Sequence, residues 1–224
     1  MVENKKPKDE IFDGITSRHV NAYYSSIVKG LTAKVFRTYL ATTVVKDYLV
    51  KHDNIKNKRA NEKLYHAKLA NLEAAMMCNH KRTIPKTFEQ ALEKKRETLR
   101  KIEREESWKK TQEALKKAEA AQAKTEAQKK AKAKKIKTLN EQIKKQKQKH
   151  KERIEILELQ IDLSEKTRDY NIGTSLRNYI DPRIFKAWTD EVGAEWEKLY
   201  TSALQKKFLW VKDENTNWKN LKEN

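Results

Sequence analysis

The chain has 224 residues, enough for one domain or two small ones. Charged residues make up 37% of it and apolar residues another 37%, with only 4 glycines and 3 prolines, which excludes one compact globule throughout and a loop-rich β fold. The 51 basic residues against 32 acidic leave a net charge of +19, which points to a polyanionic partner, and the single cysteine, Cys78, excludes an internal disulfide. An intracellular chain is expected. No run of about 18 apolar residues offers a membrane span, so no membrane partner is expected. The five histidines are scattered and Cys78 stands alone, so neither a metal nor another cofactor is expected.

Residues 1–10 read as a mobile lead. Ile11-Phe12-Asp13-Gly14 is a short apolar anchor ending in a turn. Ser17 is placed to cap a helix with Val20, Tyr24, Ile27 and Val28 on one face, which Gly30 ends. Thr32 caps a second helix over Ala33 to Lys51, with Val35, Tyr39, Thr42 or Thr43, Tyr48 and Leu49 on its buried side. The β-branched run Thr42-Thr43-Val44-Val45 disfavours a helix intrinsically, so tertiary packing has to carry it. Asp53 is placed to cap a third helix, about Ile55 to His80, with Leu64, Ala67, Leu69, Leu72, Ala75 and Met76 as its apolar side. Pro85 stops it. Together, residues 11–86 form the first helical unit.

From 87 to 169 the composition shifts to Lys, Ala, Glu and Gln, all good helix formers. Between Leu92 and Arg153 there are 23 Lys/Arg and 10 Asp/Glu, so a net +13 of the chain's +19 lies here. Ile136, Leu139, Ile143, Gln146, His150, Ile154, Leu157 and Ile161 alternate spacings of three and four, the heptad pattern of a coiled coil. A weaker seam runs through Phe88, Leu92, Leu99, Ile102 and Leu115. The simplest arrangement is an antiparallel helix pair that turns between Ala118 and Ala133; one long helix would carry a similar pattern.

Gly173 is expected to end this arm, and residues 170–224 form a tail. Ser175 starts the segment that holds Tyr179. Asp181 caps a helix with Pro182 at its first position. Ile184, Phe185, Trp188, Val192, Trp196, Leu199 and Tyr200 make an apolar side that Leu204, Phe208, Leu209, Trp210 and Trp218 continue. So apolar a tail has to dock on the first three helices, and docking returns Tyr179 to them. The fold class expected is all-α: a small helical bundle with a long, protruding antiparallel two-helix coiled-coil arm.

Three stretches then stand out in order: Leu31-Thr32-Ala33-Lys34-Val35-Phe36-Arg37-Thr38-Tyr39; Cys78-Asn79-His80-Lys81-Arg82 with Pro85-Lys86-Thr87-Phe88; and Asn178-Tyr179-Ile180-Asp181-Pro182-Arg183. They resemble the type IB DNA topoisomerases of eukaryotes and some archaea, in which a charged linker also separates the second stretch from the third. The resemblance runs from about residue 5 to about residue 211. It makes 11–86 the end of a catalytic core, 87–169 a linker and 170–224 a C-terminal domain. It implies that Tyr179 is the nucleophile, with Arg37 and His80 as catalytic partners. DNA contacts are implied for Lys34, Lys81, Arg82, Lys86, Arg177, Asn178 and Arg183. The family's usual Ser-Lys pair is replaced by Ser175-Leu176, with the basic residue at Arg177. The family's other catalytic arginine and its lysine lie upstream of the Leu31 stretch. With thirty residues before Leu31, the chain reads as the C-terminal portion of the enzyme, with an upstream segment or subunit as partner. Double-stranded DNA is the substrate, and the location implied is chromosomal, in a nucleus or nucleoid.

The implied chemistry suits these residue types. A free tyrosine loses its proton near pH 10 and needs help to attack. A guanidinium is always charged and can fork across two phosphate oxygens. A histidine hydrogen bond to the same oxygens adds electrostatic stabilisation. The product is a 3′-phosphotyrosyl bond, formed without ATP or metal. Two other readings compete. A tyrosine recombinase shares the Arg, His and Tyr chemistry but normally keeps these residues close in sequence. A basic coiled-coil protein that only binds nucleic acid needs no nucleophile, and there Tyr179 is an ordinary packed ring. Trp188, Trp196 and Trp210 read as core, not as base-stacking platforms. In either DNA-binding case, log affinity for a duplex should fall steeply and linearly with log salt. Fluorescence anisotropy titrations across a KCl series would check this, and a flat response would exclude phosphate contacts as the source of binding.

Overall fold

The computed structural model describes residues 5, 6 and 8–223, and they are all-α, without a strand. Residues 1–4 and 7 of the expected lead lie outside these. Two compact units are distinguished: residues 1–83 with 169–224, and residues 84–168. No described helix is long and apolar enough to cross a membrane.

In the first unit, α1 (Ser17–Ile27) is capped by Thr16, not Ser17. Its helical periodicity is present, but no residue of it is buried, and Tyr23, Ile27 and Val28 are exposed. Ile11 and Phe12 are exposed too, so the apolar anchor expected there is not buried. The spacing of apolar residues announces a face, not what covers it.

The second helix, α2 (Ala33–Lys51), has the expected bounds and begins after Thr32. Ala41, Val45 and Leu49 are its buried residues. Val35 and Tyr39, expected inside, are exposed. The β-branched run is carried as expected by packing: Val45 is fully buried. In addition, the hydroxyls of Thr42 and Thr43 donate to the carbonyls of Thr38 and Tyr39, at 2.8 and 3.0 Å. This keeps both inside helical geometry.

The third helix, α3 (Ala60–Met77), is shorter than expected at both ends. Its start is held by the Glu62 carboxylate, which accepts the Arg59 backbone N–H at 3.2 Å. Asp53, expected as the cap, instead pairs with Lys222 in the tail at 3.1 Å. Met76 is exposed. Lys63, outside the expected apolar side, is buried, and its ammonium donates to the carbonyl of Gly193 at 3.4 Å. Gly193 has φ 66° and ends the tail helix Pro182–Val192, so Lys63 places its cation at a helix C-terminus, where the dipole favours it.

The tail comprises α7 (Ile172–Asn178), α8 (Pro182–Val192), α9 (Ser202–Lys207) and α10 (Trp218–Glu223), with 3-10 turns at Trp196–Leu199 and Leu209–Asp213. Asp181 and Pro182 start α8 as expected, with the Asp181 carboxylate accepting the Arg183 N–H at 3.0 Å. Ile184, Phe185, Trp188, Val192, Trp196, Tyr200, Leu204, Phe208 and Trp218 share one core with Ala41, Val45, Leu49, Ala67, Ala70 and Ala74. Small alanines on α3 leave room for the large rings. The tail therefore docks on α2 and α3, while α1 packs on α2 without joining the core. Leu209 and Trp210, expected inside, are exposed.

The second unit holds α4 (Phe88–Arg104), α5 (Lys109–Ala120) and α6 (Glu126–Lys166). The arm is antiparallel, as Lys95 to Ser164 (2.8 Å), Arg153 to Glu105 (3.7 Å) and Lys132 to the Ala121 carbonyl (2.7 Å) show in succession. It turns between Ala120 and Glu126, within the expected window, and Thr125 caps α6 through Gln128 at 3.2 Å. A single long helix is thus excluded. The expected seam from Ile136 to Ile161 is the sheltered side of α6, with His150 buried. The departure from a helix pair is a break at 105–108. Trp108 follows Ile102 by six positions, which on a continuous helix lies a third of a turn off the seam. Breaking the helix lets Trp108 meet His150 edge-on at 5.1 Å, under Lys147 at 5.5 Å.

Trp188 is fully buried at the centre of the first unit's core. Trp188→Ala should destabilise that unit by about 3–5 kcal/mol. A urea titration followed by circular dichroism measures this, and a loss under about 1 kcal/mol would mean that the core is not centred there.

Candidate active site

The C-terminus of α3 builds the site. Cys78, buried, is its last turn, and Asn79 follows with φ 54°, the left-handed region that asparagine tolerates better than most residues. The His80 N–H donates to the Ala75 carbonyl at 2.8 Å and the Asn79 N–H to the Met76 carbonyl at 2.9 Å. This pair of bonds is the Schellman ending of a helix, and it turns the chain sharply at His80. The next residues are clamped by a short antiparallel bridge between Lys81 and Tyr170. In it, the Asn171 N–H donates to the His80 carbonyl at 2.7 Å and the Arg82 N–H to the Asp169 carbonyl at 3.0 Å.

That bridge leads directly into α7. Asn171 caps α7 by accepting from the N–H groups of Gly173 and Thr174 at 3.1 and 3.3 Å. Gly173 therefore lies inside α7 and does not end the arm, and Ser175 lies within the helix instead of starting it. The arm's last helix stops earlier, at Lys166. Tyr179 is the C-cap of α7 and is half-buried.

The rings of His80 and Tyr179 lie 5.0 Å apart. From α2, the Arg37 guanidinium stands 4.8 Å from the centre of the Tyr179 ring, and the Lys34 ammonium 5.7 Å. Arg37 donates to the Cys78 carbonyl, at the negative end of α3. Burial lowers the affinity of His80 for a proton below the ordinary histidine value, and the nearby Arg37 charge lowers it further. Its Nδ1 is buried without a hydrogen-bond partner. At neutral pH the imidazole is therefore uncharged and suited to donating one hydrogen bond, while the Arg37 guanidinium beside it is a fixed positive charge.

The remaining residues implied at the DNA fall elsewhere. Arg177 and Asn178 are exposed in the last turn of α7, beside Tyr179 in sequence, and the Arg177 carbonyl accepts from Lys207 at 2.8 Å. Lys81 and Arg82 are exposed on the bridge. Arg183 is held by Asp181 through bonds of 2.6 to 3.1 Å and lies 6.0 Å from the Trp210 ring, so one of its faces is already engaged. Lys86 is an exposed residue of the second unit. Among the described residues no group of three or more His, Cys, Asp or Glu could hold a metal ion.

Sequence reasoning passed over one buried polar residue near the site, Asn71, and named Thr42 only for the buried side of its helix. Asn71 lies on α3 between Ala67 and Ala75 at helical spacing, a polar residue on an apolar stripe, and that was its signal. Thr42 accepts the Asp181 backbone N–H at 3.0 Å, which ties the start of α8 to α2.

The fold and site thus define an all-helical protein in which an arginine, a histidine and a tyrosine from three separated segments converge, alongside a basic coiled-coil unit. Residues 1–115 match the family of the eukaryotic DNA topoisomerase I catalytic core, and residues 151–220 match the C-terminal topoisomerase domain. The chain belongs to the eukaryotic DNA topoisomerase I family. It is 34% identical over 221 residues to human DNA topoisomerase 1, covering 95% of this chain and 27% of that one. It is 33% identical over 213 residues to the DNA topoisomerase 1 of Caenorhabditis elegans, covering 95% and 24%. The frog Xenopus laevis DNA topoisomerase 1 is 35% identical over 218 residues, covering 93% and 24%. The chain spans about a quarter of the length of these relatives.

The depressed proton affinity of His80 has a thermodynamic counterpart. The unfolded chain binds a proton at this histidine more readily than the folded chain does. Its contribution to stability is full above the ordinary histidine pKa, about 6.5, and declines as pH falls below it. Replacing His80 by Gln should flatten that part of the profile. Denaturant midpoints at several pH values between 7.5 and 5 measure it, and identical profiles for the two proteins would contradict the burial argument.

Proposed function

We propose that this chain is the C-terminal part of a type IB DNA topoisomerase, which relaxes supercoils by opening one strand through a 3′-phosphotyrosyl bond at Tyr179. The observation that carries the reading is the convergence of Arg37, His80 and Tyr179, at 4.8 and 5.0 Å, in a chain of this family. The Tyr179 phenol gives up its proton to water as its oxygen attacks the phosphorus, the bond to the 5′ oxygen breaks, and that oxygen takes a proton and leaves as the 5′-hydroxyl. Arg37, held by the Cys78 carbonyl, offers its remaining N–H groups to the non-bridging oxygens as charge builds there. His80 donates a neutral hydrogen bond to the same oxygens. One strand end then rotates, and the hydroxyl attacks back. The phosphotyrosyl bond resembles the one broken, so no ATP enters. The protein acts at chromosomal DNA.

The leaving hydroxyl's proton donor, a lysine in this family, and a second arginine come from an upstream segment. An exposed apolar surface supports such a partner. Tyr23, Ile27 and Val28 of the α1 region are exposed, as are Val35, Phe36 and Tyr39 on α2, and Tyr24 bridges to Phe36 at 5.0 Å. Water-facing rings and branched side chains in this density mark an interaction surface.

The test is an end-labelled duplex with a short strand beyond the cut, so that the released piece diffuses away. Incubated with this chain and the upstream part of a related enzyme, it should yield a denaturant-resistant protein–DNA adduct. Tyr179→Phe should abolish the adduct and leave duplex binding intact. Salt-sensitive binding with no adduct under any of these conditions would replace the catalytic reading by that of a basic DNA-binding protein.

A further inference from the structure

The strongest unassigned feature of the first unit is a buried polar pair between α3 and α7. Asn71 is 3% exposed and Ser175 fully buried, in a unit whose other buried polar residues, among those described, are Lys63 and Thr189. The Asn71 side-chain amide donates to the Ile172 carbonyl at 2.9 Å, and its oxygen accepts from the Ser175 hydroxyl at 2.7 Å. Both contacts fix the side-chain orientation, since the reverse placement would set two acceptors, Oδ1 and the Ile172 carbonyl, against each other. Ser175 Oγ also lies 3.0 Å from the Ile172 carbonyl. With one proton to give, the hydroxyl has its shorter bond to Asn71.

Ser175 is one residue removed from the nucleophile in hydrogen-bond terms. Its carbonyl accepts the Tyr179 N–H at 2.9 Å and the Ile180 N–H at 3.2 Å. The path from Asn71 through Ser175 to Tyr179 therefore consists of two hydrogen bonds and one residue. α3 also carries, at its end, the Cys78 carbonyl that holds Arg37 and the turn that aims His80. One rigid helix thus sets the reference for all three groups. α7 has seven residues, too few to be rigid by itself.

We infer that Asn71, acting through Ser175, is a positioning residue that registers Tyr179 against Arg37 and His80. This rests on the reading of Tyr179 as the nucleophile. The site demands a residue that donates and accepts at once. Aspartate offers acceptors only and would face the Ile172 carbonyl, and leucine removes both the donor to that carbonyl and the acceptor of the Ser175 hydroxyl. A general structural role predicts lost stability. Positioning predicts, in addition, a displaced Tyr179 in a protein that is still folded. Misplacing a reacting group by an ångström or so costs rate and spares binding.

The experiment labels the full chain with 3-fluorotyrosine and reads fluorine NMR without DNA, with Tyr179→Phe assigning the Tyr179 line. Asn71→Leu and Ser175→Ala should each shift or split that line while the Tyr23 and Tyr200 lines stay in place. The same variants, in the adduct assay with an upstream part supplied, should react about tenfold or more slowly at unchanged duplex affinity. The double variant should lose no more than the larger single loss, since the two residues act as one unit. Should Asn71→Leu fail to fold, Ser175→Ala decides. An unmoved Tyr179 line in a folded variant overturns the inference, as do shifts spread over all the tyrosines. The resonance is read without DNA. An adduct that survives Tyr179→Phe would therefore sink the proposed chemistry while leaving the positioning result standing on its own.

Discussion

The guanidinium of Arg37 rests on the carbonyl of Cys78, at the negative end of α3, and much of the first unit depends on that helix end. A helix terminus leaves carbonyls without partners, and a cation placed there satisfies one of them while being held in place. The same terminus uses Asn79 in the left-handed region to turn the chain, so that His80 comes up beside Tyr179 within a few residues. Had α3 run on through Arg82 as an ordinary helix, Cys78 would lend its carbonyl to the ladder and Arg37 would lose its seat. Ending a helix is therefore what gathers two of the three groups.

The third group arrives by a different force. The tail is rich in large apolar side chains, and burying them against the alanine face of α3 and against Val45 and Leu49 of α2 is worth far more than any single polar contact. Such burial is not directional, so by itself it would leave α7 free to slide. Direction comes from polar contacts at its margin: Thr42 to the Asp181 N–H, Asn71 to Ile172 and Ser175, and the bridge at His80 and Asn171. Burial brings the tail in, and hydrogen bonds choose its register.

The second unit follows a simpler rule. Its charge is carried on outward positions, and its sheltered seam is thin, with Gln146 and His150 among the apolar residues. A seam so narrow tolerates irregularity, and the break before Trp108 is the result: the indole gains a packed contact that a continuous helix would deny it.

The heptad spacing of α6, the Asp181-Pro182 helix start, the helix over Ala33–Lys51 and the all-α class were legible from residues 1–224 alone, because each rests on local periodicity or capping chemistry. So was the order of the three stretches that carry Arg37, His80 and Tyr179. What a periodic face meets is not local. The apolar residues of α1 and Val35 and Tyr39 of α2 had the right spacing for a core and are exposed, whereas Lys63 and Asn71 had the wrong chemistry for one and are buried. Asp53 looked like a cap and became a partner of Lys222, because a carboxylate serves whichever donor the tertiary structure brings nearest. The sequence by itself determined which helices form and which residue types are on hand for phosphate chemistry. Only the tertiary structure decided that Arg37 and His80 stand 4.8 and 5.0 Å from the Tyr179 ring, since that depends on long-range burial and on how one helix ends.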